Sequence, residues 1–281
     1  MAGSLTDFIF ANETAVRMSA FLGVLAVMAG WEVLAPRRYR DHGRTTRWPG
    51  NLSLVVISAV LVRLIFPVTA VGLAIYTVSN GFGLFHWLGV PYWAAVLLTV
   101  AALDLTIYVQ HVVFHRVPAL WRLHRMHHAD LDFDVTTGIR FHPVEIVMSM
   151  AIKLAMVAAL GAPALGVVLF EILLNASAMF NHSNVRLPLG LDRVLRLVVV
   201  TPDMHRVHHS VIPRETHANF GFFLPWWDRL FATYRAQPEA GHDGMTIGLP
   251  QFRDPAELRL DRLLTQPWRD DPRSQFERKQ A

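Results

Sequence analysis

Two short segments of the chain repeat one pattern of histidines. Residues 124–128 read His-Arg-Met-His-His, and residues 205–209 read His-Arg-Val-His-His. A third pair, His111 and His115, lies just upstream of the first segment. Residues three and four apart share a face of a helix, so each set can aim several imidazoles at one point. Neutral imidazole binds Zn, Cu, Fe or Ni, and these histidines exceed the need of one ion, so the pattern predicts a metal-dependent site.

Two further histidines stand where the chain meets the same end of the helices. His142 lies in the segment Arg-Phe-His-Pro, and His182 lies in Asn-His-Ser-Asn. Either could instead be an interfacial histidine that only forms hydrogen bonds. With them the set could supply two metals with four or five nitrogens each, and adjacent histidines point about 100° apart on a helix, enough to serve different ions. The candidate ligands are His111, His115, His124, His127, His128, His142, His182, His205, His208 and His209, whereas His42, His86, His217 and His242 are expected to be structural or exposed.

An aspartate and a tyrosine share a helical face with the first histidine pair. Asp104 and Tyr108 precede His111 and His115 at spacings of four, three and four. A buried carboxylate close to a ligand could orient that ligand's ring. It could equally belong to a polar network that never touches the metal.

The composition is that of a membrane protein. Hydrophobic residues make up 53% of the chain, charged residues only 17%, and the mean hydropathy is positive. Cysteine is absent, which excludes disulfides, thiolate metal sites, iron–sulfur clusters and cysteine nucleophiles. The net charge of +4 is modest, and its positive residues are mostly arginine. It indicates membrane orientation and lipid contact, not nucleic-acid binding. Nothing at the N-terminus suggests a cleaved signal peptide.

Long apolar runs predict the fold. They cover residues 15–34, 52–78, about 91–115 and 144–180, and the last is interrupted at Gly161-Ala162-Pro163. The expected fold is therefore all-α: an integral membrane bundle of about four spanning helices, two of them in a hairpin, with a cytosolic histidine-rich helical cap. Residues 1–235 form one membrane-bound domain, and residues 236–281 form a polar, proline-rich surface tail.

The positive residues set the orientation. Basic flanks at 37–47 and around Arg193 and Arg196 favour the cytoplasmic side, so the N-terminus is expected outside and every histidine cluster inside. A bacterial inner membrane fits this arrangement. One cation falls within an apolar run: Arg63 must snorkel to the surface, pair, or face the bundle interior.

Longer stretches around the histidines carry a resemblance to a known family. The run from Asp104 to His128, the segment Thr-Pro-Asp-Met-His-Arg-Val-His-His at 201–209, and the following Asn-Phe-Gly at 219–221 and Trp-Asp-Arg-Leu-Phe-Ala-Thr-Tyr at 227–234 resemble the fatty acid hydroxylase / sterol desaturase superfamily. The resemblance extends over roughly residues 31–234. One departure is Ala232, where members of the family often have glycine.

The resemblance implies an integral membrane oxygenase with a non-haem di-iron centre that activates O2 to hydroxylate or desaturate lipid C–H bonds. By position, His111 and His115 match the first histidine box, His124, His127 and His128 the second, His205, His208 and His209 the last, and His142 and His182 the additional histidines. Iron comes from the resemblance alone, because imidazole would accept zinc or copper as readily.

The electrons for such a reaction need a source outside the recognised motifs. The chain has no G-x-G-x-x-G fingerprint and no cysteine, so an external ferredoxin- or cytochrome-type donor is expected. Basic cytoplasmic loops could steer an acidic donor, or simply contact lipid headgroups. The substrate is expected to be a membrane lipid: a fatty acyl chain, ether lipid, sterol-like polycycle or carotenoid.

Two other functions stay open from the residues. In a membrane metallohydrolase a histidine-bound metal would activate water, although no H-E-x-x-H carboxylate base is present. A bis-histidine haem or metal-transport protein would need paired histidines deep within the spans, whereas these lie near one edge.

Overall fold

The structure, a computed structural model, describes residues 5–269 and contains only helices, turns and loops in that range. Two isolated β-bridges, Pro36 with Val185 and Ser210 with Ile247, are the extended pairings found there. The α-helices are α1 Leu5–Ala11, α2 Glu13–Leu34, α3 Arg44–Ile65, α4 Ala70–Ser79, α5 Leu84–Trp87, α6 Tyr92–Arg116, α7 Pro118–His128, α8 Pro143–Leu160, α9 Ala164–Asn181, α10 Leu189–Leu195, α11 Pro202–His208, α12 Pro213–Thr216, α13 Trp226–Leu230, α14 Gly241–Gly244 and α15 Leu260–Thr265. Short 3₁₀ helices form at Thr137–Ile139, Pro255–Leu258 and Gln266–Trp268.

Five helical segments are long and apolar enough to cross a membrane. They are α2, the stretch Arg44–Trp87 that contains α3 to α5, α6, α8 and α9. Large apolar side chains point outward along them, for example Val27 on α2, Val56 on α3 and Leu97 on α6. Such an outer surface is stable in lipid and not in water. The all-α membrane fold is thus confirmed at this level, with five candidate spans against about four expected; how many cross the bilayer stays a prediction.

The breaks between helices follow from proline and glycine. The second apolar run, residues 52–78, belongs to two helices separated by residues 66–69, and Thr69 caps α4 by accepting a hydrogen bond from the Gly72 N–H at 3.0 Å. The hairpin forms where expected: Gly161 ends α8 with φ of 64°, a left-handed conformation that glycine adopts without strain, and Pro163 precedes α9.

Packing within the bundle aligns the histidine-bearing segments. One apolar core joins α4, α6, α8 and α9 through buried residues such as Leu103, Val157 and Phe170. A second core joins α2 and α3 to the 3₁₀ turn at Thr137–Ile139 and to α9. The C-terminal ends of α6 and α9 therefore lie beside α7 and α11.

A buried ion network holds the loop after α7 against α3. Arg47 is fully buried, and its guanidinium donates to both carboxylate oxygens of Asp130 at 2.7 and 2.8 Å, to Asp134 at 2.5 Å and to the Thr137 hydroxyl at 2.9 Å. Bidentate arginine–carboxylate pairing of this kind fixes geometry as well as charge. The loop that carries the 3₁₀ turn is thereby fixed beneath the histidines.

The segment after residue 235 packs along the bundle as far as the structure describes it. Leu263 of α15 is fully buried, in one cluster with Leu54 of α3 and Met126 of α7. This part of the predicted surface tail therefore contributes apolar core, and residues 270–281 lie outside the described range. The domain boundary itself stays a prediction.

Candidate metal centre

Nine of the ten candidate histidines meet in two adjoining groups. Within each group one nitrogen per histidine lies within 4.8 Å of all the others, and every member is buried. Histidines that are adjacent in the sequence point in different directions from a helix, and they belong to different groups here. His127 and His128 fall in different groups, and so do His208 and His209. The five-histidine group is His111, His115, His124, His128 and His208; the four-histidine group is His127, His182, His205 and His209.

Backbone carbonyls orient the rings of the five-histidine group. His111 Nδ1 donates to the Phe220 carbonyl at 2.8 Å, and His208 Nδ1 donates to the Ala218 carbonyl at 2.7 Å. A carbonyl only accepts, so each Nδ1 carries the hydrogen and a neutral ring presents a bare lone pair at Nε2. The two Nε2 atoms face each other at 3.0 Å. Two lone pairs cannot share a hydrogen bond, and a metal cation is the partner that satisfies both.

The four-histidine group repeats this arrangement. His182 Nδ1 donates to the Ala178 carbonyl at 2.8 Å, and His127 Nδ1 donates to the Arg140 carbonyl at 3.1 Å. The Nε2 atom of His182 then faces the Nε2 atoms of His127 at 3.2 Å and of His205 at 3.1 Å. Orientation of a ligating imidazole by a carbonyl on its other nitrogen is the usual arrangement in metal sites. Both groups therefore fit a bound metal.

One carboxylate takes part in orienting the ligands. Glu145, in the first turn of α8, lies with Oε1 2.8 Å from His124 Nδ1, and both side chains are buried. The Nε2 atom of His124 is left without a protein partner. A carboxylate behind an imidazole fixes the ring and raises its basicity as a ligand. Sequence reasoning missed Glu145, although an acidic residue at the start of an apolar helix beside His142 was a usable signal.

A further histidine approaches the five-histidine group from outside. His217 Nδ1 lies 3.3 Å from His115 Nδ1, while His115 Nε2 has no protein partner. His217 is exposed and does not belong to either group. The exposure of His217 agrees with the prediction from the sequence, and the contact with a candidate ligand is an addition to it.

The remaining ring nitrogens reinforce the same conclusion. Both nitrogens of His128 and of His209, and Nδ1 of His205, are buried without a hydrogen-bond partner. Buried polar atoms in native proteins are nearly always satisfied. An accumulation of bare imidazole nitrogens at one place is therefore evidence for a ligand that the protein chain does not supply.

Burial keeps these imidazoles neutral at pH 7. Removal from water lowers the pKa of His127, His128, His205 and His209 well below the ordinary value, and repulsion between neighbouring rings lowers it further. Burial likewise lowers the pKa of His182 to about 3. Metal binding requires the neutral ring, so the groups need no deprotonation to accept an ion.

Three predicted residues lie apart from the groups. His142 caps α8 by accepting from the Val144 N–H at 3.2 Å, and its Nε2 lies 3.2 Å from the Leu264 carbonyl. Asp104 accepts from the Trp227 indole at 2.8 Å and from the Leu224 N–H at 3.1 Å. The Tyr108 hydroxyl lies 2.9 Å from Thr233 Oγ1. Of the ten candidate ligands, the structure brings together all except His142.

Asp104 and Tyr108 act on the loop that supplies the carbonyls. The Tyr108 ring packs edge-on against Phe220, whose carbonyl orients His111. Asp104 fixes the backbone a few residues further on. Both residues thus reach the histidines through the 218–228 loop, in place of the direct contact that the helical spacing suggested. Their role as orienting residues stays a prediction.

A cavity of about 480 Å³ opens from the histidines into the bundle. His111 and His124 line one end of it, together with aromatic side chains such as Phe114, Phe141 and Phe222. Its walls are mostly apolar and come from α2, α3, α6, α8 and α9. Cavities of this size and character are typical ligand sites. An aliphatic ligand in the cavity would lie directly against the five-histidine group.

Comparison with known proteins agrees with this geometry. The sequence model of the fatty acid hydroxylase family matches residues 96–233, which contain all the grouped histidines. The chain is 32% identical to the ornithine lipid hydroxylase OlsE of Rhizobium tropici over 144 residues. This matched region covers 51% of this chain and 42% of that protein. It is 29% identical over 176 residues to the human alkylglycerol monooxygenase, covering 62% of this chain and 37% of that protein.

A third relative has a different named activity. The chain is 33% identical over 152 residues to the very-long-chain aldehyde decarbonylase GL1-1 of Oryza sativa subsp. japonica, covering 51% of this chain and 24% of that protein. In each comparison the matched region spans less than half of the relative's length. No solved structure matches the chain. The family match and these relatives support the resemblance of the chain to the fatty acid hydroxylase superfamily.

Proposed function

We propose that this protein is a membrane-bound, O2-dependent oxidoreductase that uses a non-haem di-iron centre to hydroxylate or desaturate an aliphatic C–H bond of a lipid. The observation that carries the proposal is the pair of buried histidine groups whose bare nitrogens converge beside an apolar cavity. Relatives named as a lipid hydroxylase and an alkylglycerol monooxygenase support the reaction class.

The donor set favours two separate metal ions. Five histidines surround one point and four surround the other, which matches the coordination of two ions and exceeds that of one. Hard carboxylate ligands and soft thiolates are absent from both groups, so the ligands are nitrogen alone. Iron over zinc is proposed because the family and two of the relatives are named as hydroxylases or monooxygenases, not because imidazole selects it.

Bound iron would supply the activation of dioxygen, and the protein supplies the positioning. The carbonyls of Phe220, Ala218 and Ala178 lock three rings with Nε2 toward the metal positions. Glu145 does the same for His124 from the cavity side. The apolar walls hold an aliphatic chain beside these rings and exclude water. Because the rings are fixed before substrate arrives, little reorganisation accompanies the reaction.

The relatives narrow the substrate only to lipids. Their names refer to an ornithine lipid, an alkylglycerol and a very-long-chain aldehyde. For this chain we propose a fatty acyl, ether-lipid, sterol-like or carotenoid substrate that enters from the bilayer. A ferredoxin- or cytochrome-type donor would supply electrons. The active site is proposed to face the cytoplasm of a bacterial cell, with the protein in the inner membrane, because basic flanks surround the histidine end.

Comparative lipid analysis tests the proposal. Lipids are extracted from aerobically grown cells that carry the gene, lack it, or carry the His208→Ala form, and are compared by mass spectrometry. We expect one lipid species shifted by about +16 or about −2 mass units, the values for oxygen insertion or desaturation, only with the intact gene. Identical lipid profiles in all three strains would refute a membrane-lipid substrate. Anaerobic growth should remove the species as well.

A metallohydrolase is the second candidate, and one observation favours it. Glu145 lines the cavity, and its Oε2 has no hydrogen-bond partner, so a carboxylate base does stand beside the histidines. In that case a metal-bound water would attack the substrate. Assay of the purified protein with reductant, with and without O2, separates the two: a hydrolase keeps its turnover without O2, and an oxygenase stops.

A further inference from the structure

The cavity continues away from the histidines to a cluster of charged side chains at its other end. Arg17, Lys153 and Glu171 line it, on α2, α8 and α9 respectively, and Arg63 of α3 lines it as well. Along α8, Lys153 lies eight residues beyond Glu145, which at 1.5 Å per residue is about 12 Å from the carboxylate that contacts His124. The charges and the histidines therefore stand at opposite ends of one apolar cavity.

The positions of Arg17 and Arg63 along their helices show that these residues lie at the end of the bundle opposite to the histidines. Glu32, near the C-terminal end of α2, accepts from the Val135 and Asn184 N–H groups in the histidine layer. Arg17 precedes Glu32 by fifteen residues of the same helix, or about 22 Å. Arg63 lies in the last turn of α3, far from Arg47 and its ion network at the other end of that helix. We call Arg17, Arg63 and Lys153 the cationic end of the cavity.

Positive charge is in excess at the cationic end. Glu171 pairs with Lys153 and, at 3.1 Å, with Arg17, and Arg17 also pairs with Glu13 at 2.8 Å. The side chain of Arg63 is exposed on the outer surface of the chain and forms no hydrogen bond or ion pair with any residue of the range 5–269. Three cations thus face two carboxylates, and Arg63 is the one without a counter-charge. An uncompensated cation bordering an apolar cavity is complementary to an amphiphile with an acidic head.

We propose that the cationic end binds the acidic group, a carboxylate or a phosphate, of a single-chain amphiphile whose tail extends to the histidines. This rests on the proposed function and adds an orientation to it: the acidic group lies at Arg63, and the carbon beside the metal is remote from the head. Oxidation would then take place along the chain and not next to the head group.

The alternative for Arg63 is that its side chain merely snorkels to the bilayer surface from the end of α3. That reading predicts no dependence of ligand binding on Arg63. Binding can be measured without turnover, so a failed proposal here is distinguishable from a failed assignment of the reaction, which lipid analysis and metal content report separately.

The test is ligand binding to the purified full chain in a neutral detergent, followed by native mass spectrometry. The probes are palmitate, palmitoyl lysophosphatidic acid and hexadecan-1-ol, which share the chain and differ in the head. A charge-assisted hydrogen bond should make at least one acidic probe bind about tenfold more tightly than the alcohol, and comparison of the two acids distinguishes carboxylate from phosphate. Equal binding of all three probes would overturn the proposal.

Variants of Arg63 test whether this residue causes the tighter binding of the acidic probes. Arg63→Gln should reduce the acidic probes to the level of the alcohol, whereas Arg63→Lys, which keeps the charge, should retain the preference. Arg193→Gln, an exposed arginine on α10 outside the cavity, is the matched control and should behave as the wild type. A preference that survives Arg63→Gln and disappears after chelator treatment would mean that the acid binds at the histidines, which contradicts the proposal.

Photo-crosslinking tests the orientation directly. A fatty acid with a diazirine at its terminal carbon should label residues near the histidines, such as Phe114 or Phe141. One with the diazirine beside the carboxylate should label the cationic end near Phe66. The reverse pattern would show that the head lies at the metals.

Discussion

Two buried polar regions lie side by side in this protein and differ in how completely they are satisfied. In the ion network every nitrogen of the Arg47 guanidinium meets an oxygen of Asp130, Asp134 or Thr137. In the histidine groups several Nδ1 atoms donate to carbonyls, but the Nε2 atoms face each other or nothing, as between His111 and His208. Nδ1 of His128, His205 and His209 also has no partner.

The difference separates a structural element from a binding site. A buried polar group without a partner costs free energy, and a native fold retains such groups where something else completes them. The ion network is complete within the chain and stabilises the loop after α7. The histidine groups are complete only with a cation. Satisfaction of hydrogen bonds, more than burial, therefore identifies the functional region here.

The sharpest test removes one ligand and leaves the ion network intact. His208→Ala should abolish the lipid modification and reduce the iron content, because it removes a nitrogen that faces His111 across the five-histidine group. Iron per protein is measured by elemental analysis, together with turnover. His86→Ala, at an exposed position far from the groups, is the control and should change neither. Stoichiometric zinc with full activity would refute the iron assignment.

Acid should affect the two regions at different pH. The pKa values of His127, His205 and His209 are lowered in the folded protein by burial, whereas an unfolded histidine titrates near about 6.5. Between pH 7 and 5 the unfolded chain therefore takes up protons that the folded chain does not, and the free energy of unfolding falls. For Asp130, burial alone would raise the pKa, but Arg47 and Arg140 outweigh it and hold the pKa below its ordinary value.

The ion network should thus persist until the pH falls below about 4, near the ordinary aspartate value. Thermal unfolding of the chelator-treated protein in detergent should show a melting temperature that declines from pH 7 to 5. Several histidines contribute together, so the decline should exceed the effect of most single substitutions. The Arg47→Met variant should show the same decline over this range. A constant melting temperature would contradict neutral, buried histidines.

Loss of the ion network should destabilise the fold. Arg47→Met removes the cation closest to the buried carboxylates of Asp130 and Asp134, and removal of one partner from a buried pair typically costs about 3–5 kcal/mol. The melting temperature should fall, while the folded fraction still binds iron. The exposed Arg193→Met substitution is the matched control. A variant as stable as the wild type but without iron would place Arg47 in the functional region and break the distinction.

Glu145 combines the properties of the two regions, because its Oε1 has a partner and its Oε2 has none. Glu145→Gln keeps the size of the side chain and removes the charge that faces His124 Nδ1 at 2.8 Å. Loss of such an orienting partner typically lowers metal affinity or activity by about 10–100-fold. Metal affinity is measured by competition with a chelator. If iron binding is unchanged and only turnover falls, Glu145 acts on the substrate or on water, which would favour the hydrolase.

Much of the site could be predicted from the sequence because helical spacing is local. The repeated H-x-x-H-H pattern and the pair His111 and His115 place ligands on one face by the period of the helix alone. His182 is separated from them by a hairpin, yet joins the four-histidine group because α9 returns to the same end as α6. Apolar runs predicted the other long helices and the break at Gly161, but not the separation of α3 from α4.

The rest depends on contacts between distant segments, which no local pattern encodes. His142 has the right residue type but its ring is used for capping α8 and for contact with Leu264. Glu145 and the orienting carbonyls are recognisable only once α8 and the 218–228 loop are placed against the rings. A polar, proline-rich segment gave no sign that Leu263 would be part of an apolar core.

The smallest expected effect comes from a glycine that connects fold and site. A Cβ at Gly138 would lie 2.2 Å from the Ala178 carbonyl oxygen, the acceptor for His182 Nδ1, and 3.2 Å from that nitrogen. Gly138→Ala must therefore shift the 3₁₀ turn or α9, at a cost of about 1–3 kcal/mol for overpacking. Because the shift moves His182, iron affinity should fall together with the melting temperature. Gly190→Ala, where nothing lies within 4 Å of the new Cβ, should change neither. If Gly138→Ala lowers stability but leaves iron affinity at the wild-type value, His182 is not positioned by this contact, and the four-histidine group tolerates more movement than its geometry implies.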